Sequence, residues 1–180
     1  MIGDIKTSRL IIRNFVVDDW KDLQEIVVSK EASEYAVYDY QFPTLDNEVQ
    51  GITKRFANGD RFLAVCKLSD NKVIGYISLK GSNDKVMDFG YCFNSVYQGK
   101  GYATEASIAI INYAFSTLYV ERLTSGIAIL NYPSCKLLNK LGFCKTGESI
   151  SSFRKTLKGN PIEFVGASFI LEKDSWSKHG

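Results

Sequence analysis

The 180-residue chain has a single histidine, His179, and its four cysteines, Cys66, Cys92, Cys135 and Cys144, form no C-x-x-C pair. A zinc site draws on clustered thiolates and imidazoles, so no metal is expected. Basic and acidic residues nearly cancel, at 22 against 20 for a formal net charge of +2. That balance supplies no electrostatic footprint for nucleic acid or for an anionic membrane. No apolar run approaches the roughly 18 residues that a membrane-spanning helix requires. The opening MIGDIKTSRL lacks the basic-then-apolar pattern of an export signal. Cys66, Cys92 and Cys144 each lie in or beside an apolar run, where a cysteine acts as a small buried hydrophobe. The expectation is a cytoplasmic protein with reduced thiols. Internal repeats, linkers and low-complexity tracts are also missing.

What is present is an ordinary core-forming composition, 45% hydrophobic and 13% aromatic. The length suits one domain, read here as residues 1–180. SRLIIRNF, residues 8–15, reads as a first strand. WKDLQEIVVS follows Asp18 and Asp19, with Trp20, Leu23, Ile26 and Val27 at helical spacing. The tyrosine-rich segment 34–43 has no clean period and is expected to be irregular. Thr44 is placed as the N-cap of a helix reaching about Asn58, with Leu45, Val49, Ile52 and Phe56 on one face. RFLAVCKL, KVIGYISLK and KVMDFGYCFN, separated by the short turns SDN and GSND, predict an antiparallel meander. A long helix over 101–117 follows. After it come a strand (RLTSGIAIL), a helix closed by Gly142 (YPSCKLLNKL), a strand (FCKTGESI), a loop with Lys155, Lys158 and Gly159, and a last strand (PIEFVGASFIL). The order describes an α+β, or mixed α/β, domain.

The junction FNSVYQGKGYATEA, residues 93–106, carries the chemistry. A helix N-terminus exposes unpaired N–H groups and roughly half a positive charge. Glycines just before it let a ligand approach the backbone, which makes a ready site for a phosphate or diphosphate. Gly99 and Gly101 supply that freedom, the stretch from Gln98 to Ala103 supplies the amides, and Lys100 adds charge. The pattern is neither G-x-G-x-x-G nor a P-loop, and the strand before it closes a meander. Dinucleotide and nucleoside-triphosphate readings are therefore weak.

YQGKGYATEA resembles the diphosphate-binding motif of the GNAT superfamily, N-acetyltransferases that use acetyl-CoA; the match falls on Gln98, Gly101 and Ala103. SRLIIRNF, DFGYCF and NYPSCKLLNKLGF resemble, in the right order, motifs of the branch that contains the ribosomal-protein N-terminal acetyltransferases. The resemblance spans about residues 7–171 and implies a mostly antiparallel sheet of about seven strands flanked by about four helices. It implies acetyl-CoA bound by Gln98, Gly99, Lys100, Gly101, Tyr102 and Ala103, with the pantetheine arm along Tyr91, Cys92 and Phe93 and in reach of Asn131. Gly90 is expected to mark a β-bulge there.

Many relatives place a glutamate general base where this chain has Asp88. Aspartate is shorter by one methylene, which favours relay through a water. Alternation sets Asp88 on a face with Gly90, Cys92 and Asn94, opposite Phe89, Tyr91 and Phe93. The resemblance makes Ser134 a hydrogen-bond partner of the departing thiolate. Leu138 stands where many family members carry a tyrosine for that task. Asn131 reads locally as a helix cap, with Pro133 in the first turn. Tyr35, Tyr38 and Tyr40, with Phe42, are the acceptor-site candidates, with Trp20 below and the loop around Phe153 and Arg154 above. The acceptor is expected to be an amine, foremost the α-amine of a protein or peptide. A small-molecule amine acetyltransferase, a non-catalytic acyl-CoA sensor and a purely structural domain are the rival readings. No acidic cluster favours a polyamine. By family habit the chain would form a homodimer.

Overall fold

The computed structural model describes residues 2–59, 61–83 and 85–176; His179 lies outside them. A short strand β1 (Ile5–Lys6) and β2 (Leu10–Asn14) lead into two helices, α1 (Trp20–Glu31) and α2 (Asp46–Ala57). The meander follows as β3 (Phe62–Lys67), β4 (Val73–Asn83) and β5 (Val86–Phe93). Then come α3 (Tyr102–Ser116), β6 (Arg122–Ala128), α4 (Tyr132–Lys140), β7 (Cys144–Lys155), β8 (Pro161–Glu172) and the short α5 (Lys173–Trp176). One eight-stranded sheet runs in the order β1-β2-β3-β4-β5-β6-β8-β7. The α+β architecture is the expected one. The extra strand and helix are the two-residue β1 and the four-residue α5, too short to leave a periodic signal.

Helices cover both faces of the sheet. On one face Leu23, Ile26 and Val27 of α1 and Val49, Ile52 and Phe56 of α2 pack on Ala64, Cys66, Val73 and Tyr76. On the other, Ala106, Ile110, Ile111 and Ala114 of α3 pack with Leu138 of α4 on Leu10, Leu63, Ile77, Phe89 and Leu123. Each fully buried aliphatic or aromatic side chain contributes about 1.5–3 kcal/mol of transfer free energy. The i, i+4 spacing of these residues therefore fixes which side of each helix meets the sheet.

The feature that positions the site is a partial pairing. All neighbouring strands are antiparallel except β5 and β6, which run parallel and pair only at Val86–Arg122, Met87–Leu123 and Asp88–Thr124. Beyond Asp88, β5 stays on β4 as far as Phe93, while β6 stays on β8 as far as Ala128. Each strand follows its other neighbour through the twist of the sheet, and the two part into a wedge-shaped gap with Asp88 and Thr124 at its apex.

Several boundaries differ from the sequence reading. Leu45 occupies the N-cap position of α2 without a side-chain cap, and Thr44 instead gives its carbonyl to Gln24 Nε2 at 2.9 Å. The segment GSND is not a turn throughout, because β4 runs on to Asn83. Phe153 and Arg154 are strand, not loop: β7 continues to Lys155 against β8, with a turn over residues 156–160. The bulge expected at Gly90 is absent, since Tyr91, Gly90 and Phe89 pair in unbroken register with Ile77, Ser78 and Leu79. A Cβ at Gly90 would stand 2.6 Å from Ser78 Oγ, so any larger residue would have to turn that hydroxyl aside.

Candidate active site

The loop from β5 to α3 begins with Asn94, which is buried and whose Oδ1 accepts from the Val96 amide at 3.2 Å. Gln98 Nε2 then donates to the Phe93 carbonyl at 3.0 Å, closing the loop back on the end of β5. Gly99 and Gly101 have φ of 73° and 82°, a region open mainly to glycine. Among the described residues, the amides of Gly99, Lys100, Gly101, Tyr102, Ala103 and Thr104 find no acceptor in the protein; the first α3 bond of this kind is Glu105 N–H to the Gly101 carbonyl. Six free donors at a helix start suit an anion.

Three charged residues hold that loop. Glu105 accepts from Thr7 Oγ1 at 2.6 Å, the Arg9 amide at 2.9 Å and Arg9 Nε at 2.6 Å, which keeps its carboxyl below the usual range despite the opposing loss of hydration. Arg9 in turn donates to the Lys100 carbonyl at 2.9 Å and lies over the Tyr102 ring at 4.5 Å. Lys100 Nζ donates to the Val96 carbonyl at 3.0 Å. Arg9 thus brings a second cation to the loop. Its place beside the helix start depends on the β1–β2 turn reaching α3, which spacing in the sequence does not reveal.

The gap leads from this loop down to Asp88. The Asn94 amide donates to the Ile74 carbonyl of β4 at 3.0 Å. By strand alternation the amides of Cys92 and Gly90 point the same way. Those of Tyr91 and Phe93 face the gap. Cys92 was grouped with the gap-facing amides, but its N–H is turned into the sheet. Its thiol lies on the α1/α2 face beside Tyr76, and burial pushes it up to about 11.

Asp88 opens to solvent at the apex, on the face shared with Gly90 and Cys92. Its in-register neighbours are Lys80 on β4 and Thr124 on β6. Loss of hydration raises the carboxyl above its ordinary value, and the Lys80 ammonium and the Thr124 hydroxyl only partly offset this. A carboxylate with a raised pKa beside a gap is a suitable proton acceptor.

On the opposite wall, Asn131 Oδ1 accepts from the Ser134 amide at 3.3 Å, capping α4, with Pro133 in the first turn. Gly142, at φ 82°, ends the helix: its amide reaches Asn139 and the Phe143 amide reaches Leu138. Tyr91 crosses the floor of the gap and its hydroxyl donates to the Ser134 carbonyl at 3.1 Å; burial pushes that hydroxyl up to about 12. Ser134 is half-buried, and among the described residues its hydroxyl has no protein partner. Leu138 is fully buried and cannot serve the gap.

The residues expected at the acceptor site lie in the 35–42 segment. Tyr38 packs on Phe164 at 5.3 Å and Tyr40 on Phe153 at 4.4 Å. Arg154 ties the segment to β7: it pairs with Glu31 at 2.8 Å and donates to the Asp39 carbonyl at 2.8 Å. The Tyr35 hydroxyl is raised by local loss of hydration, then by Glu34 and, further off, by Tyr132 and Tyr38. Trp20 is not below the tyrosine cluster; this residue begins α1, whose far end leads into the segment. Thr124 and Lys80 were missed because each joins the site through strand register. Among the described residues no cluster could hold a metal ion, and no helix is long and apolar enough to cross a membrane.

Comparison with known proteins agrees with this geometry. Residues 9–144 match the model of the acetyltransferase (GNAT) domain. The uncharacterized N-acetyltransferase YnaD of Bacillus subtilis (strain 168) is 28% identical over 157 residues, covering 87% of this chain and 89% of its own. A GNAT-family acetyltransferase from Bacillus anthracis superposes with a TM-score of 0.79 at 23% identity, over 96% of this chain and 99% of that one. The ribosomal-protein-S5-alanine acetyltransferase from Vibrio fischeri does so at 0.77 and 20%, over 97% and 99%. The matched stretch runs from the residue before β2 to the first residue of β7 and contains the gap, the glycine loop and both of its walls; the chain belongs to the GNAT acetyltransferase family.

Proposed function

We propose that this acetyltransferase carries acetyl from acetyl-CoA to the α-amine of a protein or peptide N-terminus. The observation that carries the reading is the β5–β6 gap, with the free amides of residues 99–104 at its wide end and Asp88 at its apex. The residues fit the cofactor. A diphosphate would take the loop amides with Arg9 and Lys100, and the pantetheine amides would pair with Tyr91 and Phe93 as a neighbouring strand does. Acetyl-CoA supplies the thioester.

Asp88 then takes the proton of the incoming amine, directly or through one water, from the α1/α2 face. The amides facing the gap polarise the acetyl carbonyl. The Ser134 hydroxyl, without a protein partner, is a donor for the sulfur as it leaves. Asn131 positions Ser134 by capping α4, and Tyr91 holds the same turn from below.

A protein α-amine is favoured over other amines by the three branch-like motifs at residues 8–15, 88–93 and 131–143. The tyrosine segment supplies aromatic side chains suited to a chain end. The test is a thiol-release assay with a panel of free and N-terminally blocked peptides beside small amines. Turnover restricted to peptides with a free α-amine is expected. Turnover only on small amines, or tight acetyl-CoA binding with no turnover on any amine, contradicts the reading.

A further inference from the structure

A concavity of about 490 Å³ opens where α2 packs over the start of β3. Its wall is apolar: Phe42, Ile52, Phe56 and Phe62, the last two stacked with ring centroids 3.9 Å apart. Its rim carries Arg55 and Arg61. The other four arginines, Arg9, Arg13, Arg122 and Arg154, each pair with a carboxylate. Among the described residues Arg55 and Arg61 pair with none. Two unpaired guanidinium groups over an aromatic wall suit a ligand with an apolar body and an anionic end.

The concavity shares a sheet face with Asp88. Phe62 lies in register with Ser78, and Ser78 with Gly90. Lys80 Nζ sits 5.3 Å from the Phe62 ring centroid, and Lys80 pairs in register with Asp88. Two strand spacings of ~4.8 Å put the wall about 10 Å from the row of Gly90 and Asp88. The tyrosine segment runs straight into Gln41, Phe42 and Pro43, which form one side of the pocket. Of the carboxylates beside that segment, Glu31 and Asp39 are engaged by Arg154 and Lys30. Among the described residues that line the pocket, the charged ones are Arg55 and Arg61, both positive.

We infer that this pocket selects the acceptor: it takes a peptide N-terminus whose third residue is apolar and whose fifth is acidic, with the α-amine at Asp88 and the carboxylate at Arg55 and Arg61. This rests on the peptide reading above. An extended chain advances about 3.3–3.6 Å per residue and alternate side chains share a face, so the third side chain reaches the aromatic wall and the fifth, on the same face, the rim. The same cations disfavour a polyamine.

The test uses two peptides of equal length, each with alanine first and phenylalanine third, one with aspartate and one with lysine fifth. Transfer is followed by thiol release and binding by fluorescence anisotropy, in the full-length protein with saturating acetyl-CoA. The aspartate peptide should win by about tenfold in kcat/KM, the worth of one charge-assisted pair. Arg55→Glu with Arg61→Glu should invert the preference through the acceptor KM and leave the acetyl-CoA KM unchanged. Arg55→Gln and Arg61→Gln, made singly, should each remove part of it and guard against a misfolded double variant. Equal use of both peptides, or variants that leave the acceptor KM unaltered, overturns the pocket assignment. Tight binding of the aspartate peptide without turnover, lost in the variants, supports the pocket and removes peptide transfer. Absence of both binding and turnover with either peptide overturns the pocket assignment.

Discussion

Asp88 is the residue on which the proposed chemistry turns. Asp88→Asn keeps the shape and removes the base, so kcat should fall about a hundredfold or more, the usual worth of a positioned proton acceptor. The acetyl-CoA KM should stay within about twofold, because Asp88 lies at the apex of the gap, toward the opposite end of β5 from the glycine loop. Steady-state kinetics with each substrate varied will separate the two. Its raised pKa also sets a sign. The base is lost as pH falls through that raised value, so the acid limb of kcat/KM should lie above the ordinary aspartate value of about 3.9. A limb at or below that value excludes Asp88 as the titrating group. For folding, the same shift adds stability below the unfolded value and loses it as pH rises through the folded one. Gly101 gives a second residue-scale test. At φ 82°, with Arg9 Nη2 3.3 Å from where a Cβ would stand, Gly101→Glu brings strain, bulk and negative charge to the anion site. The acetyl-CoA Kd, read by calorimetry, should rise tenfold or more, about 1.4 kcal/mol; an unchanged Kd would detach Gly101 from the cofactor.

The elements that hold the site depend on their ends. α4 is only nine residues long, and its start rests on the Asn131 cap. Asn131→Ala should cost about 1 kcal/mol in denaturant unfolding, and it should lower kcat as Ser134 loses its place. A loss of stability with full activity would make the cap structural alone. This end of the helix was legible because Asn-x-Pro-Ser is a local signal whose meaning needs no partner. The Thr44 cap was misread for a related reason: the hydroxyl has the right chemistry, yet the chain turns one residue later and Thr44 gives its carbonyl to Gln24. The second half of β7 read as loop because Ser151, Ser152, Arg154 and Lys155 leave Phe153 without the β-branched and aromatic company that marks a strand. Gly90 was seen as special, but the cause, a serine hydroxyl on the neighbouring strand, lies in the β4–β5 register.

At the scale of the molecule, element order and the two sheet faces followed from periodicity. Asp88 fell with Gly90 and Cys92 by alternation alone. Sequence could not show that β5 and β6 pair for three residues and then part, because this depends on β8 inserting between β6 and β7. Nor could it bring Arg9 to the α3 start, Lys80 and Thr124 to either side of Asp88, or Arg55 and Arg61 to one pocket rim. These are long-range juxtapositions of residues whose local surroundings are unremarkable.

The most direct test of the account is amide hydrogen exchange with and without saturating acetyl-CoA. The gap and loop geometry predicts new protection at residues 99–104 and at Tyr91 and Phe93, with the Cys92 amide already slow in the free protein. Binding of the cofactor with exchange at those amides unchanged, and protection elsewhere, would contradict it.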